Sequence, residues 1–195
     1  MLKLIALITM VVDHIGLFYN QYFFRIIGRI SFPIYCFLIC RGITKTKDIK
    51  KYSVRILGLA ILSQCIFGYI GLGDVFNVLF TYFLFIRFII LIKNDFTIIS
   101  FILLLFIIYI ANRIDYGLYG FVVLTIFYFI KDLRIQLLVF LAINLFFVNI
   151  GTVSVIQHIS ILSLLIINKY DKPKYYEKFK RFNKMFYWLY PLHLI

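Results

Sequence analysis

Asp13 and His14 stand side by side in the stretch "VVDHIG". The segment around them, "MLKLIALITMVVDHIGLFYN", is otherwise almost wholly apolar. An imidazole exchanges protons near neutral pH, so such a pair suits general acid–base catalysis or a proton relay. A buried hydrogen-bonded staple between helices is the plainer alternative. An aspartate inside a membrane helix costs about 2.5–3.5 kcal/mol on insertion scales, which demands compensation. His14 costs less because it can be neutral. Adjacent helical residues diverge by about 100° and do not face each other. Asp13 is therefore not expected to orient His14 as a triad acid would. It is expected to meet a partner on another helix.

The next stretch, "FFRIIGRISFPIYCFLICRG", offers Arg25 and Arg29. Four residues apart, they share one helical face. Arg29 is the preferred partner of Asp13, and snorkelling to the outer membrane surface is the plainer alternative for both arginines, more so for Arg25. Gly28 permits close packing, and Pro33 is expected to kink the helix. A third cluster lies in "NRIDYGLYGF". Asp115 is either a helix cap or a site residue, and Tyr116 and Tyr119 offer hydroxyls beside Gly117 and Gly120. A fourth lies in "FYWLYPLHLI", where Tyr190 and His193 flank Pro191. His193 is a candidate second base, although aromatic residues there also suit an interfacial belt. In "DVFNVLFT", Asp74 reads as a cap and Asn77 as able to hydrogen-bond across helices. His158 reads as core and Arg87 as a structural, snorkelling side chain.

The elements that position these groups follow from composition. The chain has 195 residues, of which 64% are hydrophobic, and a mean hydropathy of +0.99. A soluble domain of this size cannot bury so much apolar surface, so the bilayer is expected to be its solvent. Apolar runs near 2–20, 27–43, 53–72, 75–93, 96–112, 115–131, 133–149, 152–168 and 184–195 predict an all-α polytopic bundle of about nine spans, within a range of eight to ten. Residues 1–195 are expected to form one integral-membrane domain. Bulky residues follow the first run where a cleavage site would need small ones, so it is expected to be a retained helix. Cys36, Cys40 and Cys65 lie in apolar segments without CxxC or metal-ligand spacing. They are expected to be inert, and no metal is expected.

Charge gives orientation. Residues 41–55 carry six Lys or Arg against Asp48, and residues 168–184 carry seven against Asp171 and Glu177. These two runs supply 10 of the formal net charge of +13. By the positive-inside rule both are expected in the cytoplasm, with the N-terminus also inside. His14 then lies roughly 9 Å below the outer end of the first helix. The four polar clusters are expected to converge in the outer half of the membrane. The basic runs also suit anionic lipid or a phosphate-rich ligand, and nucleic acid is not expected.

The motifs "LKLIALITMVVDHIGLF", "RIIGRISFPIYCFLICRG", "NVLFTYFL", "DYGLYG" and "YPLHL" run along the whole chain. In that order they resemble the TraX family, named for a conjugative-transfer protein implicated in N-terminal acetylation of pilin. That family is similar to larger polytopic acyltransferases that use acetyl-CoA inside and acylate sugars or amines outside. The resemblance implies a multi-pass cell-membrane O- or N-acetyltransferase. It implicates Asp13, His14, Arg29, Asp115 and His193 in catalysis. With it, Arg41, Lys45 and Arg55 are expected to hold the phosphates of acetyl-CoA, the acyl donor. Arg25, Tyr116, Tyr119, Tyr190 and Asn77 are expected to bind the acceptor, a peptide or pilin N-terminus, a glycan or a lipid headgroup. Arg87 departs from the family pattern, where an uncharged residue is expected. Two other classes compete: a small proton-coupled transporter or exporter, disfavoured by the lack of repeated halves, and a non-catalytic membrane assembly partner.

Overall fold

The computed structural model describes residues 1–69, 74–93, 98–110, 113–172 and 175. These form α1 (Leu2–Phe18), α2 (Tyr22–Gly28), α3 (Ser31–Lys45), α4 (Ile49–Tyr69), α5 (Val78–Lys93), α6 (Ile98–Ile110), α7 (Gly117–Phe129), α8 (Leu133–Asn149), a 3-10 segment (Val155–Ile161) and α9 (Leu162–Tyr170). Among the described residues there is no strand, and the one β-type bridge joins Phe76 and Ile114. The fold is all-helical, as the apolar runs imply.

Each expected span within the described residues holds helix, but several are shorter than drawn. The runs at 96–112 and 115–131 contain α6 and α7, of 13 residues each. At 1.5 Å per residue α7 rises about 20 Å, less than a bilayer core of about 30 Å. Among the described residues, two stretches are long and apolar enough to cross a membrane: Tyr22–Lys45 and Ile49–Tyr69. The expected span at 184–195 lies outside the described residues.

The chain divides into two compact units. The first takes Met1–Leu38 and the chain from Thr125 onward, and the second takes Ile39–Leu124.

The first unit is organised by a tight hairpin of α1 and α2. Asn20 adopts a left-handed backbone with φ 54°, which asparagine tolerates better than most residues. The Gln21 amide donates to the Gly16 carbonyl at 2.8 Å, closing the turn. A side-chain carbon at Gly16 would sit 2.9 Å from both the Arg25 nitrogen and the Phe24 Cβ, so only glycine lets the two helices approach this closely. The expected kink appears at Arg29–Ile30, between α2 and α3. Pro33 is the third residue of α3, and its ring opposes the carbonyl four residues earlier, that of Arg29. Ser31 then donates its hydroxyl to the Ala6 carbonyl at 2.9 Å, tying α3 back to α1. Farther along, Asp132 caps α8 by accepting from the amides of Arg134 and Ile135. Asn144 donates to Ser160 at 3.4 Å, joining α8 to the 3-10 segment.

The second unit rests on α4 against α5. Asn77 opens α5 by accepting from the Leu79 amide at 3.1 Å. Its side-chain amide donates to the Ala60 carbonyl at 2.8 Å and to Gln64 at 2.9 Å. The Phe85 and Phe88 rings both meet the Phe121 ring of α7 edge-on. Cys40 donates to the Leu124 carbonyl at 3.4 Å. Among the described residues the three cysteines form no disulfide.

Candidate functional site

The α1–α2 hairpin brings Asp13 level with the first turns of α2. Asp13 accepts from Arg25 at 2.6 Å on one carboxylate oxygen and from Arg29 at 2.5 Å on the other. Arg25 donates in addition to the Asp13 backbone carbonyl at 3.2 Å. Arg29 also donates through Nε to the Arg25 carbonyl at 3.3 Å. The side chains are mostly withdrawn from solvent: Asp13 is 14% exposed, Arg29 11% and Arg25 27%. Arg29 is thus the partner that the helix geometry pointed to. Arg25 is a second partner rather than a snorkelling side chain, because the hairpin turns it onto the same carboxylate. Gly28 makes the arrangement possible. A side-chain carbon there would fall on the carboxylate of Asp13.

His14 points its chemistry elsewhere. Its Nδ1 lies 2.9 Å from the Met10 carbonyl, one turn back on α1. A carbonyl can only accept, so Nδ1 is the protonated nitrogen. In the neutral ring Nε2 then bears the lone pair. The pair in "VVDHIG" is therefore split by the helix: Asp13 fastens α2, and His14 turns its Nδ1 back to the Met10 carbonyl of α1.

Asp115, Tyr116, Tyr119 and Asn77 belong to the second unit. The Asp115 amide donates to the Phe76 carbonyl at 2.8 Å, and its carbonyl accepts from Thr81 at 3.4 Å. Tyr116 has a left-handed backbone with φ 58°, turning the chain into α7. Tyr119 is buried and Tyr116 half-buried, their ring centroids 6.3 Å apart. Asn77 is buried, and both of its amide protons are committed to α4. It clamps helices, and that commitment leaves it no amide proton for a substrate. Tyr190 and His193 lie outside the described residues.

The second unit also holds an open cleft of about 650 Å³. It is lined by Thr46, Lys47, Asp48, Lys50, Lys51, Val54, Arg55 and Arg87. Of the three residues expected to hold phosphates, Arg55 lines it, whereas Arg41 and Lys45 are not among its walls. Arg55 lies over the Tyr52 ring at 5.8 Å. Asp48 accepts from the Lys51 amide at 2.9 Å and lies 3.7 Å from the Lys51 ammonium. The Lys51 amide holds the Asp48 carboxyl below its ordinary value, with the Lys51 charge adding to the effect. Lys47, Lys50 and Lys51 are wall residues that sequence reasoning did not assign to a site, and Arg87 is one that it read as a snorkelling side chain. Spacing held part of the signal, since Lys47 and Lys51, and Lys51 and Arg55, lie four apart.

The cluster of one carboxylate and two guanidiniums stands in an all-helical fold whose described residues include two stretches long and apolar enough to cross a membrane, which is consistent with a membrane protein. Within that class the chain belongs to the TraX family, which matches residues 1–195 under the description TraX protein. Comparisons with curated proteins and with solved structures give no match.

Proposed function

We propose that this TraX-family chain is a multi-pass membrane acyltransferase. It moves an acetyl group from acetyl-CoA on the cytoplasmic side to a hydroxyl or amine of an extracytoplasmic acceptor. Residues 1–195 act as one integral-membrane domain of about nine spans, with the N-terminus inside.

The observation that supports this reading best is the tautomer of His14. With Nδ1 donating to Met10, Nε2 serves as general base. It takes the proton from the acceptor as the acceptor's oxygen or nitrogen attacks the thioester carbonyl. The carbon–sulfur bond then breaks, and the imidazolium returns the proton to the leaving thiolate. Arg29, fixed by Asp13, stabilises the oxyanion of the tetrahedral intermediate. Asp13 positions Arg25 and Arg29, and Arg25 contacts the acceptor. Arg41, Lys45 and Arg55 meet the phosphates of the donor.

The test is acetyl transfer from radiolabelled acetyl-CoA by the purified protein in lipid nanodiscs. Candidate acceptors are a peptide with a free N-terminus, a glycan and an aminolipid. A labelled product that depends on the protein is expected. Solute flux in liposomes with no covalent product would overturn the reading.

A further inference from the structure

The cleft between the α3–α4 connection and α5 has a wall composition that helix insertion alone does not explain. Among the described residues that line it, five of eight are Lys or Arg, and one is a carboxylate. That carboxylate is already engaged as the cap of α4. The remaining charge is positive and gathered around one volume of about 650 Å³. Pockets that hold small molecules span about 300–1,000 Å³.

Arg87 is the residue that turns a basic loop into a site. The loop cations sit in a run where topology demands positive charge. Arg87 does not: it lies within α5, "VLFTYFLFIRFIILIK", whose only other charge is the terminal Lys93. A cation inside such a helix costs insertion energy. Its side chain reaches the same cleft as four loop and α4 cations. Like charges brought to one cavity repel, so the arrangement gains from an anion placed among them. Guanidiniums suit phosphate, because their planar forks grip two oxygens at once. Arg55 and Arg87 supply two such forks from different helices, and Lys47, Lys50 and Lys51 supply point charges.

We propose that this cleft is a binding site for a phosphate-bearing ligand, gripped by Arg55 and Arg87 and neutralised by Lys47, Lys50 and Lys51. Two sources share that chemistry: the nucleotide phosphates of a CoA thioester, and the phosphodiester of an anionic lipid headgroup. The first rests on the acyltransferase reading and moves the donor's grip from Arg41 and Lys45 to the cleft. The second stands without it.

The experiment uses the full chain in phosphatidylcholine nanodiscs, with calorimetric titration of CoA. In parallel, native mass spectrometry counts phosphatidylglycerol retained from mixed-lipid preparations. Variants are Arg87→Gln and, on exposed positions that spare the helix interior, the double change Lys50→Gln/Lys51→Gln. Lys169→Gln, outside the cleft, is the control. If CoA is the ligand, both cleft variants weaken it by about tenfold or more and the control does not. If lipid is the ligand, CoA fails to bind and retained phosphatidylglycerol falls in both cleft variants. Binding of neither probe, or equal binding by wild type and both variants, overturns the site. Acetyl transfer assayed on the same samples separates the two readings. Arg87-dependent CoA binding without product leaves the site standing and sinks acyl transfer. Product formation with binding indifferent to the cleft variants does the reverse.

Discussion

Two regions of this chain gather arginines, and they use them differently. On α1 and α2, Arg25 and Arg29 close on one carboxylate, at 2.6 and 2.5 Å. Around the α3–α4 connection, Arg55 and Arg87 join three lysines about a cavity whose one carboxylate caps a helix. The first set has its acid built in, so its charges are turned inward to hold a hairpin. The second has more cations than its acid can answer, so its charges are turned towards a space. A guanidinium in an apolar helix is therefore not one kind of feature. Whether a carboxylate is folded against it decides between a fastener and a grip.

The comparison breaks most directly at Arg29. Removing one partner of a largely buried pair leaves charge uncompensated, so Arg29→Ala is expected to destabilise the protein by about 3–5 kcal/mol. Denaturant unfolding in detergent measures this, and a loss no larger than that of a surface substitution would show that the cluster does not fasten the hairpin. Gly28→Ala should cost about 1–3 kcal/mol, because the new methyl displaces the Asp13 carboxylate and forces the helices apart. In the cleft the opposite is expected. Arg87→Gln should leave stability within about 0.5 kcal/mol of wild type in the same unfolding assay, since no acid among the described residues pairs with it. A large loss there would make Arg87 a second fastener and erase the contrast.

The smallest effect concerns the acid of the cleft. Asp48 is held below its ordinary value by the Lys51 amide, so its folded carboxyl titrates lower than its unfolded one. The stability it contributes is then full at neutral pH and lost as pH falls through the folded value, below the usual carboxylate range. Asp48→Ala should lower the melting temperature slightly at neutral pH, and the gap should close in acid. A gap that widens on acidification would reverse the sign and remove the cap from the account.

Much of this was legible in the residues. Apolar runs located the helices, and at α8 the expected and observed bounds coincide at 133–149. The roughly 100° step between neighbours in a helix sent Asp13 to another helix, and Arg29 is there. Asn77 was readable as an interhelical bond and makes one. What spacing could not give was the tertiary return of the chain. Arg25 reaches Asp13 because a turn at Asn20 folds α2 onto α1, and a local pattern holds no signal of that turn's tightness. Arg87 looked like a snorkelling residue because nothing in sequence joins it to lysines more than thirty positions earlier.

The central proposal is that His14 is the general base, with the Asp13 cluster fixing the arginines beside it. Its most direct test is turnover of labelled acetyl-CoA by purified wild type and His14→Ala, both first shown to be folded. General-base removal predicts a fall in kcat of about 10²–10⁴-fold, whereas full turnover by His14→Ala would contradict the account.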